Sequence, residues 1–225
     1  MSDASRKAHW ETVYATKGEN EVSWFQENPA PSLELIDLVG STSESAIVDI
    51  GGGASRLVDS LVARGFNRVT VLDISEAGLE ATKARLGKRA SRVQWIVADV
   101  TKWCSTQTFD VWHDRAAFHF LTESADKAAY VSRLKAAVKP GGCVIIGTFA
   151  PDGPERCSGL PVNRYDAGSL AATLGKGYQL IDTRRHEHAT PSGVTQKFQF
   201  STFQRDRDGE FQSASASGRT RSSPS

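Results

Sequence analysis

Cysteine is scarce in this sequence. Its three residues, Cys104, Cys143 and Cys157, are spread over 225 positions with no C-x-x-C pair, too few to staple a fold of this size. A reduced, cytoplasmic protein is therefore expected. Excess charge of one sign is missing as well: Lys+Arg 27 against Asp+Glu 26 leaves a formal net charge of +1. That removes the field that would draw in nucleic acid or an anionic membrane surface, so neither partner is expected. No apolar run approaches the ~20 residues that cross a bilayer. The first residues, MSDASRKAHW, lack the apolar stretch of a secretory signal.

What the chain does have is enough apolar content, 39%, to bury the core of one domain. Its most informative stretch is Ala46-Ile-Val-Asp49-Ile-Gly51-Gly52-Gly53-Ala-Ser55-Arg56-Leu57. A β-branched run, three glycines and then a helix start predict a strand, a tight turn and a helix N-terminus. Arg56 stands where the dinucleotide fingerprint G-x-G-x-x-G wants its third glycine, which argues against a nicotinamide dinucleotide. Asp49, just ahead of the turn, would repel a pyrophosphate but suits a ligand carrying positive charge. S-adenosylmethionine, with an ammonium and a sulfonium, is such a ligand.

In chain order, Trp10, Val13 and Tyr14 sit at helical spacing in a segment from Ser5 to Lys17 that Gly18 ends, and Leu33, Ile36 and Leu38 mark a second helix stopped by Gly40. Residues 1–44 thus form a helical prefix. Its Trp and Tyr side chains either pack on the main domain or line a pocket mouth. From Ala46 strands are predicted at 46–50, 68–73, 92–98, 109–112 and 142–149. Helices are predicted at 55–64, 76–86 and 125–138, with a shorter turn near 101–105, the alternation of βαβ units. Lys139-Pro140-Gly141-Gly142 reads as the stop of the long helix. The stretch 150–161 is rich in proline and glycine and predicts a loop at the carboxyl edge of the sheet, where open α/β folds bind ligands. A helix from Asp166 and two strands, 178–187 and 194–203, close the domain at 45–204, and the Ser- and Arg-rich 205–225 predicts a disordered tail.

Asp73 closes the second strand about two dozen residues after Asp49, where doubly wound folds place an acid for ribose hydroxyls. Its neighbour Ile74 could cover an adenine face. Asp99 closes the third strand and could accept from an exocyclic amine. Single aspartates at turns are common; three at successive strand ends are not.

On these residues the chain resembles the class I, seven-stranded S-adenosylmethionine-dependent methyltransferases over roughly 45–203. Val48-Asp49-Ile-Gly51-Gly-Gly53 is similar to the family's acid-x-G-x-G turn, Asp73 to its ribose acid, Asp99 to its adenine-side acid and Phe109-Asp110-Val111-Trp112 to its fourth strand. Ser55 departs from a third glycine found in many members. The resemblance implies a doubly wound α/β sheet of order 3-2-1-4-5-7-6 with the last strand antiparallel and helices on both faces. It implies methyl transfer from S-adenosylmethionine without metal or redox cofactor, with Asp49, Gly51, Gly53, Asp73, Ile74, Asp99, Val100 and His113 holding the donor.

The block His113-Asp114-Arg115-Ala-Ala-Phe118-His119-Phe120 follows the fourth strand and is the candidate acceptor site. His119 is a candidate general base or a satisfied histidine at a helix start. Asp114 and Arg115 are candidate catalytic residues or a structural ion pair. A methyl on sulfonium is already activated, so positioning alone can supply ~7 to 11 kcal/mol of the barrier, and no catalytic dyad is required. The prefix His9-Trp10…Trp24-Phe25 looks like that of protein-lysine methyltransferases. Asp114-Arg-Ala-Ala, where those enzymes carry Asp-Lys-Gly-Thr, and Gly159-Leu-Pro161-Val162 are more similar to thiol and chalcogen methyltransferases of the thiopurine type. A small-molecule acceptor, a thiol or chalcogen among them, is the leading expectation; a protein lysine is the alternative, and a non-catalytic donor-binding module the alternative of another class. Cys157 is expected on an exposed loop. His186 and His188 share a strand face but lack further ligands, and no metal is expected.

Overall fold

The computed structural model describes residues 3–207. Of the tail expected at 205–225, only the first three residues lie within that range, and Arg205 ends the last strand.

Seven strands build one sheet: β1 Ala46–Ile50, β2 Arg68–Asp73, β3 Val93–Val97, β4 Phe109–Arg115, β5 Val138–Phe149, β6 Tyr178–Ala189 and β7 Thr195–Arg205. Their order is β3-β2-β1-β4-β5-β7-β6, as the sequence implied. The first five run parallel, and β7 is antiparallel to both β5 and β6. Six helices surround it: α1 Asp3–Thr16, α2 Ala30–Leu38, α3 Leu57–Ala63, α4 Glu76–Leu86, α5 Ser124–Ala137 and α6 Ala167–Leu174. Arg156–Cys157 and Leu160–Pro161 form a separate small ribbon inside the predicted 150–161 loop.

Strand alternation sorts side chains onto two faces. Ile47 and Val111 join Leu33, Ile36, Leu57, Leu61 and Leu79 of α2, α3 and α4, while Val48, Trp112 and Val144 join Tyr130, Leu134 and Leu170 of α5 and α6. Both faces are covered, so β1 is buried along its whole length, as a central parallel strand should be. The prefix is fastened to this body by Glu11, whose carboxylate accepts from Ser75 Oγ (2.9 Å), Glu76 N (2.8 Å) and Ala77 N (3.1 Å) at the start of α4. It thereby satisfies amides that a helix N-terminus leaves unpaired.

Three expected boundaries shift. β4 continues three residues past 112 because Ala116, at φ 66°, is where the chain turns; His113, Asp114 and Arg115 are therefore strand residues. β5 starts at Val138 directly after α5, and Gly141 at φ 77° lies inside it. The helix stop and the strand start coincide there because a register shift at Asp110 absorbs the kink. That carboxylate accepts from Ala46 N (2.7 Å) and pairs with Lys139 Nζ (2.6 Å). The helical turn expected near 101–105 is only a hydrogen-bonded turn, Lys102 N and Trp103 N donating to Asp99 O at 3.0 Å.

Candidate active site

The glycine turn after β1 is shaped by what surrounds it. Gly51 adopts φ 69°, a left-handed conformation that favours glycine, and its N–H donates to Leu72 O at 2.8 Å. A Cβ on Gly52 would fall 2.6 Å from Asp49 Oδ2, and one on Gly53 would fall 2.7 Å from Asp73 Oδ2 and 2.8 Å from the Tyr14 hydroxyl. The backbone therefore passes two carboxylates too closely for any side chain. Asp73, at the end of β2, accepts from Gly53 N (2.9 Å) and Ser75 N (2.8 Å), and burial pushes its pKa up to about 6. Asp49 Oδ1 meets His113 Nδ1 at 2.7 Å, and His113 Nε2 meets Ser32 Oγ of α2 at 2.8 Å. Asp49 Oδ2 is buried without a hydrogen-bond partner.

A cavity of about 850 Å³, its opening to solvent included, lies over the carboxyl ends of the strands. Gly51, Asp73, Ile74, Asp99 and Val100 line one part of it. Arg6, Trp10 and Tyr14, spaced by four on α1, supply a wall, with Trp10 packed 5.6 Å from Trp24 and 5.0 Å from Phe120 between ring centres. Both oxygens of Asp99 are engaged: Oδ1 by Thr101 N (2.8 Å) and Oγ1 (2.7 Å), Oδ2 by Arg6 Nη2 (2.9 Å). A second cavity, about 520 Å³, holds Ser32, Asp49, Arg56 and His113, and Trp24, Gly51 and Arg115 border both.

Of the expected donor residues, Asp49 and His113 line the smaller space, Asp73, Ile74, Asp99 and Val100 the larger, and Gly51 both, while Gly53 lines neither and donates its N–H to Asp73. The three expected catalytic residues separate. Asp114 faces α5: it accepts from Ala117 N (3.0 Å), Phe118 N (3.1 Å) and the Tyr130 hydroxyl (2.8 Å), and it lines neither cavity. It makes no ion pair with Arg115, because consecutive strand residues point to opposite faces. His119 is fully buried against Phe120 and Phe149, receives Phe149 N at 3.4 Å, and borders neither cavity. Burial holds its pKa down at about 3, so it stays neutral and out of reach; Phe149 N meets its Nδ1, while its buried Nε2 has no hydrogen-bond partner, which fits neither the base nor a fully satisfied histidine. Arg115 alone of the three enters the site.

Cys157 is buried rather than exposed and lines the main cavity. His188 is committed to Ser23 O at 2.8 Å. Gln196 and Phe198 of β7, Arg6 of α1 and Ser32 of α2 are site residues that local pattern did not reveal. They arrive through chain crossings of more than 60 residues, such as Arg6 to Asp99 and His113 to Ser32. Of the two readings of the prefix aromatics, the cavity wall is what the structure shows.

A sequence model described as a methyltransferase domain matches residues 47–142. The ubiquinone biosynthesis O-methyltransferase of Nitrosomonas europaea is 26% identical over 72% of this chain and 63% of its own length. The EEF1A lysine methyltransferase 2 of Danio rerio is 26% identical over 64% of this chain and 69% of its own. The chain spans between about half and under two thirds of the first three curated relatives it matches, at 63%, 51% and 54% of their lengths. In three dimensions, the 1,6-didemethyltoxoflavin-N1-methyltransferase of Burkholderia thailandensis, solved with its substrate and S-adenosylhomocysteine, superposes with a TM-score of 0.70 at 20% identity, over 92% of this chain and 91% of that one.

Proposed function

We propose that the chain is a class I S-adenosylmethionine-dependent methyltransferase, a reading supported by the methyltransferase-domain match over 47–142 and by its curated relatives, and that it moves a methyl group from S-adenosylmethionine to a small-molecule nucleophile. The observation that carries this reading is the convergence of Gly51 of the glycine turn, Asp73 and Asp99 on one cavity at the carboxyl edge of the sheet.

The residues present fit the donor. A Cβ at Gly52 or Gly53 would collide with the Asp49 or the Asp73 carboxylate, so glycine is what lets the turn run this close to both acids. Asp73 offers its carboxylate to ribose hydroxyls while Gly53 N and Ser75 N hold it in place. Ile74 and Val100 provide apolar cover for an adenine. On Asp99, Oδ1 accepts two hydrogen bonds from Thr101 and Oδ2 accepts from Arg6, so an exocyclic amine would be received at Oδ2. The unpartnered Asp49 Oδ2 suits an ammonium, with His113 and Ser32 fixing the carboxylate's other oxygen. When bound, S-adenosylmethionine supplies a methyl already activated on sulfonium. What remains for this chain is to hold an acceptor in line and exclude water, work suited to the wall of Trp10, Trp24 and Phe120.

Relatives include O-methyltransferases of small molecules and of malonyl-acyl-carrier protein, and a lysine methyltransferase. We assign the acceptor to the small-molecule class because the cavity is lined mainly by aromatic and apolar groups. Labelled-methyl transfer into cell extract tests both levels. Label in the small-molecule fraction is the expected result; label in protein would replace the acceptor class, and none in either fraction would favour a donor-binding module.

A further inference from the structure

Arg115 is the least satisfied charged group in the site. Its Nη1 donates to Trp24 O at 2.9 Å, and its guanidinium lies 5.2 Å from the centre of the Phe198 ring. Its Nε and Nη2 are buried and have no hydrogen-bond partner. Those two atoms are the two donors of one guanidinium edge, the fork that receives both oxygens of a carboxylate in parallel. A buried donor left unpaired bears its full desolvation penalty, and more when charged, so the open edge is costly unless a ligand fills it.

The surroundings say what that ligand is. Asp49 acts on Arg115 only through space, and no ion pair forms between them. His186 and His188 also feel the arginine's charge, which together with burial keeps both imidazoles below their ordinary pKa. Of the residues that share the main cavity with Arg115, Trp24, Cys157, Gln196 and Phe198 carry no charge, and its carboxylates, Asp73 and Asp99, are held by Gly53 N, Ser75 N, Thr101 and Arg6; Asp49 and His113, in contact with each other, lie in the adjoining cavity. Burial likewise holds the Cys157 thiol protonated. An ammonium acceptor would meet an unneutralised cation here and no base to remove its proton. An anion would meet its missing counter-charge.

We propose that the open Nε–Nη2 edge of Arg115 is the recognition site for an anionic group, a carboxylate or its equivalent, on the methyl acceptor. The site thereby selects acidic small molecules over amines. This deepens the methyltransferase reading and rests on it for the word acceptor, though not for the anion site itself.

The test is isothermal titration of the protein saturated with S-adenosylhomocysteine, using benzoate and benzamide, two flat probes that differ in charge. Benzoate is expected to bind at least tenfold tighter. Arg115→Gln is expected to erase that preference while leaving S-adenosylhomocysteine affinity within about twofold. Arg115→Lys, which keeps the charge but lacks the fork, is expected to retain only part of it. Equal affinity for the two probes, or no benzoate binding in the millimolar range, overturns the proposal. So does an Arg115→Gln protein that loses S-adenosylhomocysteine instead, because the edge would then hold the donor's own carboxylate. The comparison of probes on the unmutated protein stands even if a variant fails to fold. Failure of S-adenosylhomocysteine to bind the unmutated protein sinks the donor reading separately, and the probes can still be titrated into the protein alone.

Discussion

Asp114 and Arg115 are consecutive on β4, yet they illustrate opposite uses of a buried charge. Asp114 faces the α5 side, where two amides and a tyrosine hydroxyl saturate it. Arg115 faces the other side, where half of its donors go unused. The same contrast separates Asp114 from Asp49, one strand over, whose Oδ2 is also unpartnered. The partners of Asp114 fix backbone beside α5, whereas the unpartnered atoms of Arg115 and Asp49 belong to residues that border cavities.

Asp114→Ala should give the largest effect and confine it to stability. Removing the carboxylate leaves two amides and a phenol unpaired in the core, a loss of about 3 kcal/mol or more, which scanning calorimetry would read as a fall in Tm of ~6 to 12 °C. At a temperature where the variant is folded, its S-adenosylhomocysteine affinity should match the unmutated protein's. A large loss of affinity would break the contrast.

Asp73→Ala should do the reverse in calorimetric titration, weakening S-adenosylhomocysteine by ~30- to 100-fold, about 2 to 3 kcal/mol. Unchanged affinity would remove Asp73 from the site.

pH sharpens the comparison further. Burial raises both Asp73 and Asp114 to about 6, above the ~3.9 of an unfolded aspartate. Between pH 4 and 6 the folded protein therefore holds protons that the unfolded chain has lost. The contribution of these groups to stability is present below pH 4 and lost as pH rises through 6. Denaturant unfolding should show that falling component in the unmutated protein and less of it in Asp114→Asn. Ribose recognition needs Asp73 ionised, so S-adenosylhomocysteine affinity should drop about tenfold from pH 7 to pH 5, and Asp73→Asn should flatten the profile.

The smallest effect belongs to a charge that is neither saturated core nor cavity wall. Asp37 pairs with Arg64 at 3.0 Å with both side chains well exposed, so Asp37→Ala should change stability by under ~0.5 kcal/mol and leave binding unaltered. A larger shift would mean that exposure is a poor guide here.

The parallel half of the fold was legible because each of its strands announces itself locally. Ala46–Ile50, with glycines at once behind it, could be read to the residue. Asp49, Asp73 and Asp99 were legible for the same reason, being strand-end residues with regular spacing. The far wall was not. Whether Trp10 and Trp24 pack or line a pocket depends on where α1 returns, and Gln196 and Phe198 enter through a strand nearly 150 residues after Asp49. His119 and Asp114 misled as catalytic candidates because titratable type was visible and partners were not. Their hydrogen bonds to Phe149 and Tyr130 are tertiary facts.

The position of β7 bears on how the protein is made. It is the last strand among the described residues, yet it sits between β5 and β6, pairing with β5 from Cys143 to Phe149 and with β6 along nearly its whole length. During synthesis, when the amino-terminal part folds first, β5 carries an open row of amides and carbonyls until residues 195–205 leave the ribosome. Any chain cut short before Thr195 keeps that row, on a strand whose side chains from Cys143 to Phe149 are nearly all apolar. An exposed edge of that kind is a template for pairing with other chains. Such fragments should aggregate rather than persist as a smaller five-stranded domain.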